Sequence, residues 1–357
     1  GSGNPGLTVG IAAGDITAGT VRLGTGGGVV NGEITLSSLT LSATLTANQY
    51  AGSFAVTGAT VITAPEIAQD VGGGSFFRTT TTALSVANSA GTFTFDDLTI
   101  ASAPAANTTT GGSTVGIFLN ANSGAFTVDG TTTISDTVED SIRINSTSGT
   151  VSFGATVINN PHAAPLAAGT YIAAIPASSA IDLSGTISGA VSFANLDIAL
   201  ANDNTTGIDL SGAQIDANFT AGDFDVTSAS STGTIGGDLE GATGTGTVQL
   251  GNTNTNGGDT VTLGTAANML AVGVQVNGTT DLSFVLGDGD GTSGDLVASD
   301  IHATTAISGV LPALGSYNFR DIDFNASGVA NISGGATYFV FDEAGTAGAG
   351  TFAGPGT

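Results

Sequence analysis

The side chains best suited to chemistry in this chain are carboxylates, and their densest run is GDGDGTSGD, from Gly287 to Asp295. Asp288, Asp290 and Asp295 alternate there with glycine and small polar residues, so several oxygens can converge on a hard cation such as Ca2+. The run departs from an EF-hand loop, because no glutamate closes it at the twelfth position that such a loop uses. Two readings stay open: a calcium site on these three aspartates, or a solvated acidic turn between strands.

Carboxylates also gather at Asp96–Asp97, at Asp136, Glu139 and Asp140, and at Asp209, Asp216, Asp223 and Asp225. Paired carboxylates on one face are the machinery of glycoside hydrolysis. An enzyme acting on an acidic polysaccharide needs cations as well, to hold its substrate. This chain has no lysine, and its four arginines, Arg22, Arg78, Arg143 and Arg320, are scattered. His162 lies in a proline-rich stretch and His302 near a strand start; neither has a nucleophile motif or a metal-spaced partner beside it. The expectation is a protein that is not an enzyme, with no catalytic residue, no organic cofactor, and Ca2+ as the one candidate ligand.

The charge balance excludes whole classes of partner. Twenty-nine acidic residues against four basic ones give a formal net charge of -25 over 357 residues. Nucleic acid is excluded, since phosphate recognition needs clustered Lys and Arg, and an anionic membrane surface repels the chain. No stretch approaches the roughly 18 apolar residues of a membrane span. Without cysteine there is no disulfide framework and no thiolate site. A lysine-free, acidic, Thr/Ser-rich exterior fits an extracellular or cell-surface setting.

The elements that position these residues are strands. Thr, Val, Ile, Phe, Ser and Gly dominate, strong helix formers are scarce, and apolar residues recur at period two. The same unit returns along the chain: GIFLNANSGAFTVDGTTTI from Gly116, SIRINSTSGTVSFGATVI from Ser141, AIDLSGTISGAVSFANLDI from Ala180 and ALSVANSAGTFTFDDLTI from Ala83. Each carries an apolar pair, a small polar turn, a glycine, a second apolar pair and a closing isoleucine. The glycines are Gly52, Gly91, Gly124, Gly149 and Gly189, and the shortest step, Gly124 to Gly149, is 25 residues.

Three short strands per unit, repeated in fixed order, point to an all-β parallel solenoid with coils of about 25 residues and loop insertions. Ile117, Leu119, Phe126, Val128 and Ile134 would then point inward and stack on Ile142, Ile144, Val151, Phe153 and Ile158. Glycine and asparagine at the corners would allow left-handed or otherwise strained backbone. Tandem antiparallel β-sandwiches are the competing architecture, since Asn31-Gly32 and Asn277-Gly278 read as hairpin turns.

This pattern resembles the right-handed parallel β-helices of secreted bacterial proteins, among them autotransporter passengers, large repeat adhesins and surface fibre subunits. The resemblance covers roughly residues 41–225. It implies an extracellular setting and a structural or adhesive role, such as a filament or biofilm matrix subunit. The expected organisation is an N-terminal Gly-rich strand segment over 1–32 that offers an inter-subunit contact, a solenoid body over 33–263, and C-terminal coils or a small subdomain with a Gly-rich tail over 264–357. Three segments should interrupt the coils: 64–82, 102–113 and 159–178. The expected function is a structural subunit polymerising head to tail with itself through the solenoid ends. The alternatives are an adhesin that binds cell-surface glycans and, further off, a polysaccharide-cleaving enzyme.

Overall fold

The computed structural model describes residues 14–24, 29–63, 67–72, 75–79, 82–101, 115–137, 139–159, 170–171, 178–251, 261–277, 282–287, 299–310, 316–320, 322–323, 330–333, 341–342 and 352–353. These residues contain strands and no helix, and nearly all the strands join one large parallel sheet. A tandem sandwich would be antiparallel, and the one antiparallel pairing among the described strands is Ile67–Gly72 with Ser75–Thr79. The architecture is a β-solenoid.

Each coil contributes to three ladders, here called walls A, B and C in chain order. On wall A, Leu45, Leu84, Ile117, Ile142, Ile181 and Ile208 follow one another in register. Wall B carries Phe54, Phe93, Phe126, Val151, Val191, Phe219, Val248 and Phe284. Wall C carries Ile62, Ile100, Ile134, Ile158, Ile198, Val226, Leu263 and Ile301. The stacking that the repeat anticipates is present pair by pair, from Ile117 on Ile142 through Val128 on Phe153 to Ile134 on Ile158.

Packing explains why the period-two pattern is so regular. Parallel strands about 4.8 Å apart place like residue over like residue, so an apolar position repeated in each coil becomes a continuous column. All of these inward residues are buried. Phenylalanine rings run up wall B: Phe95 to Phe126 and Phe126 to Phe153 at 5.6 Å between centroids, then Phe153 to Phe193 stacked at 4.9 Å. Three buried threonines, Thr60, Thr132 and Thr156, interrupt the apolar column on wall C.

The repeated glycine of each unit and the left-handed corner are separate positions. A Cβ on Gly124 would lie 1.9 Å from the carbonyl oxygen of Gly91, and one on Gly149 or Gly189 would lie 1.9 Å from the oxygen of the glycine one coil earlier. These positions demand close approach of two backbones, not left-handed backbone. Left-handed residues occupy the corner after wall A instead, at Gln49, Asn88, Ala121 and Ser146, and then at Gly185, Gly212 and Gly241. Their column is held by backbone bonds from one coil to the next, such as Asn88 N–H to Asn120 and Ser146 N–H to Ser184.

Two of the expected interruptions meet. Ile67–Gly72 and Ser75–Thr79 form a hairpin, and Thr170–Tyr171 from the proline-rich segment pairs with Ser75–Phe76 in a small separate sheet. Strand propensity in IAQDV and SFFRT around three glycines accounts for the hairpin. The parallel ladder of wall C runs without a break from Val261–Leu263 to Ser299–Ile301 and Ile322–Asp323.

Candidate functional site

Asp288, Asp290 and Asp295 lie outside the described residues, as does His162. His302 is placed, half-buried, and its backbone joins the ladder: its N–H donates to Leu263 and its carbonyl accepts from Leu270 at 3.0 Å. Asp97 is a corner staple, its Oδ1 accepting the Thr131 N–H at 2.8 Å. Glu139 and Asp140 stay together around Arg143, whereas the group at 209–225 separates. Asp209 stands on the outer face of wall A, whereas Asp223 and Asp225 stand on wall C. Asp216 lies between them and accepts from Gln214 Nε2 at 2.8 Å.

What the fold assembles is a ladder of charge on wall A. Between the inward residues of successive coils, register places Arg143 beside Asp182, Asp182 beside Asp209, Asp209 beside Asp238, and Asp238 beside Gln275. The aligned repeat carries the signal for this ladder, since Ile-Arg-Ile, Ile-Asp-Leu and Ile-Asp-Leu occupy one position in consecutive coils. Sequence reasoning by local clustering missed it.

Arg143 closes one end. Its Nε donates to Asp140 Oδ2 at 2.7 Å and faces Asp182 Oδ2 at 3.3 Å, while a terminal nitrogen meets Glu139 Oε2 at 3.2 Å. The other oxygen of Asp140 accepts the Ser179 N–H at 2.9 Å. Asp209 accepts the Ser211 N–H at 2.8 Å and Asp238 accepts the Glu240 N–H at 2.9 Å. Glu240 in turn accepts from Gln275 and Asn277, both at 2.9 Å, which closes the far end.

Stacked like charges in a half-buried row resist ionisation. Burial pushes the Asp182 carboxyl up to about 7, with Asp140 and Asp209 adding to the rise and Arg143 opposing it. Burial likewise raises Asp238 to about 6, against its bond from the Glu240 N–H and with Asp209 and Glu240 adding. Burial raises Asp140 too, offset in part by Arg143. Arg143 is itself opposed by burial, yet Asp140, Glu139 and Asp182 hold its guanidinium above the ordinary value.

Wall C has a shorter acidic row. Asp197 and Asp225 are register partners, both raised by burial, and one oxygen of Asp225 is buried without a hydrogen-bond partner. Among the described residues no three acidic or histidine side chains converge as metal ligands, and no helix is long and apolar enough to cross a membrane. Chemically, the wall A ladder stores a proton near neutral pH. Compared with known proteins, the chain matches no family model, no curated protein and no solved structure.

Proposed function

We propose that this chain is a structural module, a right-handed β-helix whose shortest coils take about 25 residues, that assembles end to end with copies of itself outside the cell. Right-handed winding follows from the strong bias of parallel crossover connections toward that hand. The observation that carries the functional reading is the pairing of the first described coil. Among the described residues, Asp15–Leu23 pairs with Ser38–Asn48 alone and Glu33–Leu36 pairs with Ser53–Val56 alone. Ile16, Ala18, Val21 and Ile34 are half-buried over a column whose next residues, Leu39, Leu41 and Phe54, are fully covered.

An edge of unpaired strand over apolar surface invites another strand. A protein with many coils, a hydrated Thr/Ser and Asp exterior and, among the described residues, a first coil paired on one side is suited to a filament or matrix. Calcium on Asp288, Asp290 and Asp295 belongs to this reading as a stabilising ion, and calorimetric titration that releases no heat would remove it. Electron microscopy of the full chain tests the function: rods joined end to end support it, and separate particles at every concentration reject it.

A further inference from the structure

The first coil also specifies how it is covered. Strand Asp15–Leu23 bends between Ala18 and Thr20, where wall C passes into wall A. Its residues read almost alike from both directions. Forward from Asp15 they are Asp, Ile, Thr, Ala; backward from Arg22 they are Arg, Val, Thr, Gly. Ile16, Ala18 and Val21 are the half-buried positions, and Asp15, Thr17, Thr20 and Arg22 are exposed. Val29 and Val30, 68% and 41% exposed, are the exposed large hydrophobic residues of the described chain, and they belong to the same coil.

We infer that this edge pairs with the same edge of a second copy, antiparallel, about a two-fold axis between Ala18 and Gly19, at the bend. That register sets Asp15 opposite Arg22 of the second copy, Ile16 opposite its Val21, and Thr17 opposite its Thr20. Half-buried Ile16 and Val21 then meet, Ala18 falls opposite Gly19, and each charge meets its opposite twice in the isologous contact. The bend does not obstruct the pairing, because the two-fold axis exchanges the wall A and wall C halves of the strand. A head-to-tail contact has no use for this internal symmetry. The inference rests on the end-on assembly proposed above and adds its polarity: the N-terminal ends face each other in a contact that closes at the dimer, and longer species then join through the opposite ends.

A charge exchange tests it, read by sedimentation velocity on the full chain at one ionic strength. Asp15→Arg and Arg22→Asp should each weaken association about tenfold, because each places like charges opposite one another at two places. The double exchange should restore association to within about threefold. Net charge alone would strengthen association in Asp15→Arg and weaken it in Arg22→Asp. Opposite shifts of that kind, or a double exchange without recovery, overturn the two-fold pairing and leave end-on assembly standing. Wild-type protein that stays monomeric overturns both.

Asp15 Oδ1 also accepts a bond from Ser38 Oγ at 2.8 Å, so a second readout guards against a local folding defect. The chain has no cysteine. Thr17→Cys and Thr20→Cys chains, mixed and oxidised, should form a disulfide dimer that neither forms alone. Equal cross-linking in the unmixed chains contradicts the register.

Discussion

Arg143 and Asp182 are register partners on neighbouring strands of wall A, with Nε 3.3 Å from Oδ2. A long insertion separates them in sequence, and the guanidinium serves Asp140 and Glu139 as well. Arg143 is the cation through which the ladder tolerates so many carboxylates. Replacing it with Gln leaves Asp140, which is 4% exposed, without its charged partner. Removing one member of a buried pair costs about 3 kcal/mol or more, and the partial exposure of Arg143 reduces this to roughly 2 kcal/mol. Chemical denaturation at pH 8 checks the figure, and the loss should shrink at pH 5.

The pH dependence has a definite sign. The folded-state carboxyls of Asp182 and Asp238 sit at about 7 and about 6, above the value of 3.8 for a free aspartate. The folded state therefore binds these protons more tightly than the unfolded chain does. Their contribution to stability is complete at acid pH below the free value and is lost as pH rises through about 6 to 7. Melting temperature should fall between pH 5 and pH 8, and Asp182→Asn should flatten that fall. A melting temperature that climbs over the interval contradicts the ladder's electrostatics.

Two glycine substitutions separate crowding from conformation. Gly149→Ala places a methyl 1.9 Å from the Gly124 carbonyl oxygen, a backbone contact that cannot relax locally. Gly212→Ala meets nothing within 4 Å and carries only the strain of a φ of +68°. The second should cost about 1 kcal/mol, and the first several times as much. Ala121→Gly, at a φ of +52°, should stabilise by up to about 1 kcal/mol. Denaturant midpoints of the three variants check the order.

The wall B ring column gives a fourth expectation. Phe153 is 2% exposed and stacks on Phe193 with planes 2° apart. Phe153→Ala should cost about 3–5 kcal/mol, from lost burial and the cavity left between adjacent coils. Phe153→Leu should cost far less, because it keeps most of the volume. Small losses in both variants would show that the column is loosely packed.

Much of the fold was legible because its rule is local. Ile117, Phe126 and Ile134 alternate with polar residues and return in the next unit as Ile142, Val151 and Ile158, so core and register follow from aligning the repeat. The site was less legible. Asp209, Asp223 and Asp225 look like one cluster in sequence, yet a corner turns the chain between them and sends them to different walls. Arg143 and Asp182 look unrelated, yet pairing across the 160–177 insertion brings them together. Left-handed corners are legible in Asn88, Gly185 and Gly212, whereas the crowding at Gly124, Gly149 and Gly189 is not, because a close backbone approach between coils leaves no trace within one coil. The hairpin at 67–79 was hidden by the Gly-rich segment around it.

End-on self-assembly is the central claim, and mass as a function of concentration tests it most directly. Multi-angle light scattering of the full chain across increasing concentration should show a mass that rises from 34.4 kDa through the dimer toward longer species. A mass fixed at that of the single chain at every concentration, across salt and calcium, would contradict it.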